Sequence, residues 1–285
     1  MLRLGIIGMS EGNGHPYSWP AILNGYNKHL LRGCEFPSIS KYLENQKYPD
    51  DFIVGAKVTH IWTQNYDLSK KIARSVNIEN CVDDFQDMVN NIDALLLARD
   101  DAENHQKYAE PFLGAGIPVY IDKPLALTVS KVNDLYSKQQ YPGQIFSCSA
   151  LRYAEELIIP PMQLSEFGEI QQIFAFVPKS WEKYAVHVIE PILMQFTAFL
   201  QPKNVSVANC GIGKMVTYRY EDKNLLLNIF ASGCENSPIQ FRVMGTKKYQ
   251  DFFFQDSFFA FKTALENFLK SVKMRRQLIN PSFTK

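Results

Sequence analysis

The stretch Ile92–Leu127 reads IDALLLARDDAENHQKYAEPFLGAGIPVYIDKPLAL, and its pattern decides the fold. Ala94–Ala98 (ALLLA) is apolar throughout, as a strand covered on both faces must be. Ala102–Gly114 has the length and spacing of a helix. Gly114 and Gly116, followed by Pro118, end that helix and open the next strand. Val119–Ile121 (VYI) is a second apolar run. Strand, helix and strand in succession predict one unit of a parallel α/β sheet.

Working outward, the same alternation fills the first half of the chain. Leu2–Ile7 is a strand ending at Gly8, Val58–Trp62 is β-branched and aromatic, and Asn80–Val82 is a short strand. Ile145–Ala150 supplies a sixth strand position. Asp67–Ser75, Phe85–Asn90 and Val129–Gln139 read as helices. Asn27–Ala56 exceeds what one connection needs and is an inserted excursion, with a short helix at Ser40–Gln46. The second half changes character. Ile170–Val177, Val205–Ile212, Met215–Tyr220, Leu225–Phe230 and Ile239–Met244 follow one another as strands, with Glu221–Asn224 as a hairpin loop. Consecutive strands with few helices predict an antiparallel sheet. Ala185–Leu200 is the main helix packed on it. Phe258–Val272 is a last helix, whose Phe258, Phe261, Leu265, Phe268, Leu269 and Val272 form a core-facing stripe. The expected division is 1–149 and 150–285.

A chain of 285 residues with 46% hydrophobic residues supports two such domains. Its formal charge is +1. That balance argues against nucleic acid or a membrane surface as partner, since both need a basic excess. The halves differ slightly: 14 basic and 17 acidic side chains in 1–149, 16 and 12 in 150–285. The five cysteines, Cys34, Cys81, Cys148, Cys210 and Cys234, form no metal or redox motif, so buried free thiols and no metal site are expected. The apolar N-terminus is too short for a signal peptide, and no run of about 18 apolar residues occurs. A soluble, cytoplasmic protein is the expectation.

The first chemical feature follows the first strand: Gly8, Ser10, Gly12, Asn13, Gly14 and His15 lie in one glycine-rich turn before a helix. Helix N-termini and glycine backbones suit a pyrophosphate. Ser10 stands where a second glycine is usual in a dinucleotide turn. The second strand closes on Thr63, Gln64 and Asn65, which can bond a ribose, with no acid until Asp67. That pattern leaves NAD and NADP both open.

The Ile92–Leu127 segment resembles the core signature of the glucose–fructose oxidoreductase, inositol dehydrogenase and MocA family. The resemblance rests on an apolar strand, a loop ending in His105, a helix closing on Ala-Gly, a strand, and Asp122-Lys123-Pro124 in place of Glu-Lys-Pro. It extends to Phe167-Gly168-Glu169-Ile170, to His187-x-x-Glu190 and to Met244-Gly245-Thr246. It implies a doubly wound Rossmann sheet followed by an α+β domain with an open, mostly antiparallel sheet. It further implies NAD or NADP as cofactor, and a sugar- or cyclitol-like alcohol or ketone as substrate. On the same resemblance Lys123 lies beside the nicotinamide and His187 is the acid/base. Imidazole suits that task near neutral pH. Glu190, one helical turn on, can orient His187, and Pro191 belongs in the first turn of their helix.

Two departures stand out. Lys183 occupies the position where the family commonly has Asp. Arg99-Asp100-Asp101 replaces the usual Thr-Pro-Asn, and its carboxylates must pair with Arg99 or point away from a pyrophosphate. Tyr184 can relay a proton, Trp181 can stack on a sugar, and Lys183 can bind an anionic group. Arg152 and Tyr153 are placed for substrate, with a structural ion pair as the other role for Arg152. The departures also admit a second reading, an inactive relative that senses a nucleotide or binds a partner protein. An exposed sheet face in the second domain predicts a homo-oligomer, dimer or tetramer. The run Phe252-Phe253-Phe254 is expected in the core.

Overall fold

The computed structural model describes residues 1–196, 202–220 and 225–283. Two compact units result: Met1–Cys148 with Phe261–Lys285, and Ser149–Ala260. The sequence places everything beyond 150 in the second domain, whereas the closing segment from Phe261 packs with the first. Its apolar stripe finds partners there: Phe268 lies 5.5 Å from Tyr120 and 5.7 Å from Phe146.

The first unit begins with β1 (Leu2–Ile7), α1 (His15–Asn24), α2 (Lys28–Arg32) and α3 (Pro37–Glu44). It continues through β2 (Ala56–Trp62), α4 (Tyr66–Ser75), β3 (Asn80–Cys81), β4 (Ala94–Leu97), α5 (His105–Gly114), β5 (Val119–Ile121), α6 (Val129–Ser137) and β6 (Ile145–Phe146). Its six strands are parallel in the order β3-β2-β1-β4-β5-β6. The chain winds one way from β1 and then returns to its other side, which creates a switch point between β1 and β4. β4 and β5 are buried at every residue, as their apolar runs predict.

Several expected helices differ in form. The excursion holds two helices rather than one, because Asn27 caps α2 by accepting from His29 and Leu30 and Pro37 opens α3. Phe85–Met88 is a single 3₁₀ turn. The helix expected from Ala102 is a 3₁₀ turn, Ala102–Asn104, followed by α5.

The second unit contains α7 (Pro161–Glu166), β7 (Ile170–Val177), α8 (Trp181–Tyr184), α9 (Val186–Gln195), β8 (Asn204–Cys210), β9 (Gly213–Tyr220), β10 (Leu225–Ala231), β11 (Gln240–Gly245) and β12 (Tyr249–Phe253). Its sheet runs β12-β11-β7-β10-β9-β8 and is antiparallel except where β10 lies parallel to β7. The expected hairpin residues 221–224 lie outside the described residues, as do 197–200 at the end of the expected main helix. β12 absorbs part of the triple-phenylalanine run: Phe252 is buried, while Phe253 is 44% exposed. The last helix, α10 (Ser257–Met274), spans the division between the units. Cys34 and Cys148 are buried thiols outside any disulfide, but Cys210 and Cys234 are exposed.

Candidate functional site

Three loops leave the carboxyl edge of the first unit's sheet side by side. Ile7 pairs with Leu97 and Leu97 with Ile121, so β1, β4 and β5 end level. The residues just beyond them, Gly8–His15, Arg99–Asp101 and Asp122–Pro124, are thereby brought together. Their side chains lock the loops to one another. The Ser10 hydroxyl donates to Asp100 Oδ1 at 2.6 Å and accepts from the Asp100 N–H at 3.0 Å. Asn13 Nδ2 donates to Asp122 Oδ2 at 2.9 Å, and His15 Nδ1 lies 2.7 Å from the same oxygen. The Lys123 N–H donates to Asp122 Oδ1. Asp122 is 2% exposed. Burial alone would raise its pKa, but the charges of His15 and Lys123 and the bonds from His15 and Asn13 overcome that and hold it well below the usual carboxylate range.

The glycine-rich turn is a β-turn over Ser10–Asn13, closed by the Asn13 N–H donating to Ser10 C=O. Gly12 occupies its third position at φ +74°, which glycine adopts without cost. A Cβ there would meet nothing within 4 Å, so this face of the turn is open. Gly8 and Gly14 are small for packing reasons: their Cβ atoms would strike Pro16, and Phe36 with Ile39. The first turn of α1 itself offers little to an anion. The His15 N–H goes to Asn13 Oδ1, Pro16 has no N–H, and the N–H groups of Tyr17 and Ser18 go to Gly14 C=O. A pyrophosphate therefore fits the open backbone around Gly12. It does not fit the helix end in the usual way. The neighbouring carboxylates are already engaged, Asp122 as above and Asp101 in a two-bond pair with Arg99.

Arg99 also donates to Met9 C=O, at 3.0 Å, and to Gln64 Oε1. Gln64 in turn brackets Met9, accepting its N–H and donating to its C=O. Thr63 is bonded to Ser69 and to Asn65. Gln64 and Arg99 thus brace Met9 of the glycine-rich loop, while Thr63 is bonded within the connection that follows β2. His105, the loop histidine of the resemblance, is placed differently from the glycine-rich turn. It is 0% exposed, with Nδ1 against Leu125 C=O and Nε2 against Arg99 C=O. With both nitrogens against main-chain carbonyls, it ties the β4 and β5 loops together. Lys123 is only 6% exposed, a buried cation at the end of β5, and the cis peptide to Pro124 follows it.

The second unit holds a separate cluster. His187 is the second residue of α9 and 8% exposed. Its Nδ1 lies 2.8 Å from Ser149 Oγ, and the Tyr184 ring stands edge-on at 5.3 Å. Glu190 accepts from the Ser149 N–H at 2.9 Å and from Arg152 Nη1 at 3.2 Å. Arg152 thus takes the ion-pair role, buried beside a buried carboxylate. Burial outweighs this partner and pushes the Glu190 carboxyl up to about 7. Pro191 lies inside α9 rather than in its first turn, so the His187 carbonyl receives no N–H from it. Trp181, Lys183 and Tyr184 lie on α8, all half-buried, with Lys179 Nζ 5.3 Å from the Tyr184 ring centre; Tyr153 is half-buried too. Ser149 was not legible as a site residue: its partners are 38 and 41 residues away, and a serine between small residues carries no pattern.

Among the described residues no helix is long and apolar enough to cross a membrane, and no group of three or more potential metal ligands occurs. No curated protein matches the chain. Solved structures do. Myo-inositol 2-dehydrogenase from Lactobacillus plantarum matches at 15% identity and TM-score 0.72, over 99% of this chain and 93% of that one. UDP-N-acetylglucosamine 3-dehydrogenase from Acidithiobacillus ferrooxidans matches at 13% identity and TM-score 0.68, over 99% and 93%. Biliverdin reductase from Synechocystis sp. PCC 6803, solved with biliverdin and NADP+, matches at 14% identity and TM-score 0.65, over 99% and 94%. At these identities the likeness is one of fold. The family model of oxidoreductases with the NAD-binding Rossmann fold matches residues 2–148, which is more than half of the chain. With its parallel sheet, its switch point and its open glycine turn, the chain belongs to that NAD-binding oxidoreductase family, whose cofactor is NAD or NADP.

Proposed function

We propose that the chain transfers a hydride between NAD or NADP and a sugar- or cyclitol-like alcohol or ketone. The observation that carries this reading is Lys123. Its ammonium is nearly buried at a strand's carboxyl end, beside Asp122, whose ionised form its charge helps to hold. There it can polarise a substrate oxygen and stabilise negative charge on it. The backbone of Glu11–Gly14 holds the pyrophosphate, and Asp122 and His15 keep that turn in register with Lys123. The nicotinamide supplies or accepts the hydride. His187 shares or exchanges the proton of the substrate oxygen, with Tyr184 and Lys183 as further proton carriers. Tyr153 and Trp181 contact the substrate, and Arg152 acts through its pair with Glu190. Inositol and nucleotide-sugar dehydrogenases among the structural relatives support this substrate class.

Calorimetry with NAD, NADH, NADP and NADPH tests the first half. Failure to bind all four sinks the reading. Turnover on a sugar and cyclitol panel tests the second half. Lys123→Ala is expected to lower it about 10²-fold or more, with nucleotide affinity kept. Nucleotide binding with no hydride transfer to any panel member would favour the sensor reading instead. We also propose a homo-oligomer. β8 is an edge strand exposed at all seven residues and free of charged side chains, the kind of edge that proteins cover. A monomer by light scattering at micromolar concentration refutes this.

A further inference from the structure

We propose that Ser149 is a positioning residue that fixes the tautomer of His187, leaving the ring proton on Nε2. The neutral ring then meets a substrate oxygen as a hydrogen-bond donor rather than as a base. This deepens the proposed function and rests on it for the substrate, but the tautomer can be measured without turnover.

The hydroxyl of Ser149 is sealed from solvent, at 0% exposure, so no bulk water can take its proton. Its oxygen already accepts the Leu151 N–H at 3.2 Å. Among the described residues the only acceptor in reach of its proton is His187 Nδ1, at 2.8 Å. If Nδ1–H were the donor, the buried serine proton would go unused, which costs free energy. The satisfied arrangement has Ser149 O–H donating to Nδ1. A neutral imidazole carries one proton, so it sits on Nε2.

The serine cannot turn away easily. Its N–H is held by Glu190 Oε1 at 2.9 Å, and Glu190 is held by Arg152. The Arg152 N–H donates to Ser149 C=O, so the segment is pinned at both ends of one residue. The carboxylate that the family commonly sets before this histidine is Lys183 here, and a protonated lysine has no lone pair to accept Nδ1–H. Ser149 supplies the second partner from a different element, and with the opposite polarity. A carboxylate would draw the proton to Nδ1 and free Nε2 as a base. The serine hydroxyl does the reverse. Hydride arrival at a carbonyl carbon places negative charge on its oxygen; an Nε2–H donor shares its proton with that oxygen and stabilises the charge, and the proton that completes the alcohol comes from Tyr184 or Lys183.

The experiment is nitrogen NMR of the full chain labelled at its five histidines, with the His187 signals assigned by their loss in His187→Gln. The expected result at neutral pH is an unprotonated Nδ1 and a protonated Nε2. Ser149→Ala should weaken that preference measurably while the other four histidines keep native signals, and Ser149→Thr should restore it. A wild-type ring protonated on Nδ1 overturns the proposal, as does an unchanged pattern in folded Ser149→Ala. If Ser149→Ala does not fold, the wild-type pattern decides alone. Kinetics supply a second arm. Glutamine keeps a donor where Nε2 lies, so His187→Gln should retain about a tenth of turnover while His187→Ala loses about 10²-fold. Equal losses overturn the donor role. Absence of any wild-type turnover sinks the proposed function and leaves the tautomer to the NMR result.

Discussion

Asp122 in the first unit and Glu190 in the second are both carboxylates almost sealed from solvent, at 2% and 3% exposure, yet their acidities move in opposite directions. Asp122 has the Lys123 charge and the His15 ring near it and three hydrogen-bonding partners, so its charged form is stabilised in spite of burial. Glu190 has one guanidinium at 3.2 Å and one N–H, and burial wins. The number and closeness of partners, rather than depth, set the charge state. The first cluster is therefore built to stay ionised beside the glycine-rich loop. The second sits poised near neutrality beside a histidine.

Opposite shifts give opposite dependence of stability on pH. Asp122 is more acidic folded than its ordinary value of 3.8, so the folded state binds fewer protons there. Its contribution is complete above that value and is lost as pH falls toward the folded one. Glu190 is less acidic folded, about 7 against 4.5, so the unfolded chain releases its proton first. Stability falls as pH rises between those values and levels off above them.

The largest expected effect comes from stripping Asp122 of its imidazole. His15→Ala leaves a buried carboxylate with fewer partners, at a cost of about 3 kcal/mol in urea unfolding at pH 7. A change within error would mean that Asn13 and Lys123 suffice, and the contrast with Glu190 would rest on fewer contacts than drawn above. Next is Glu190→Gln. It should remove the fall in urea midpoint between pH 4.5 and about 7, worth on the order of 2–3 kcal/mol, while Asp122→Asn leaves that window untouched and flattens only the acid limb. If Glu190→Gln kept the wild-type slope, the titrating group would lie elsewhere. The smallest effect is at Gly12, where alanine must adopt φ +74°. The expected cost is about 1 kcal/mol of stability, with weaker nucleotide binding by calorimetry. Unaltered binding would move the pyrophosphate away from this turn.

Much of the first unit was legible from its residues. The runs ALLLA and VYI have nothing to expose, so they could only be central strands. The lysine after the last of them was singled out by the resemblance of Asp122-Lys123-Pro124 to Glu-Lys-Pro, and it stands at a strand's carboxyl end, where such sheets work. The helices were less legible. Ala102–Gly114 has one continuous spacing, yet Asp101 is drawn into its pair with Arg99 and the first turn tightens to 3₁₀. β12 escaped notice because Tyr249–Phe253 is short and half polar, and its pairing partner β11 alone makes it a strand. The partners of the site residues were not legible. Gln64, Arg99 and His105 are the polar types a nucleotide needs, and the loops they stand on are the right ones. Their atoms are nonetheless turned inward to main-chain groups of Met9, Arg99 and Leu125.

Local pattern alone determined the order of most elements, the two kinds of sheet, the glycine turn and the Asp122-Lys123-Pro124 block, because periodicity and turn chemistry act over a few residues. Pairing was decided by the tertiary structure. His15 with Asp122, Arg99 with Met9, Ser149 with His187 and Arg152 with Glu190 join positions from 38 to 107 apart in the chain. A hydrogen bond depends on where two atoms are in space, and no spacing in sequence records that distance.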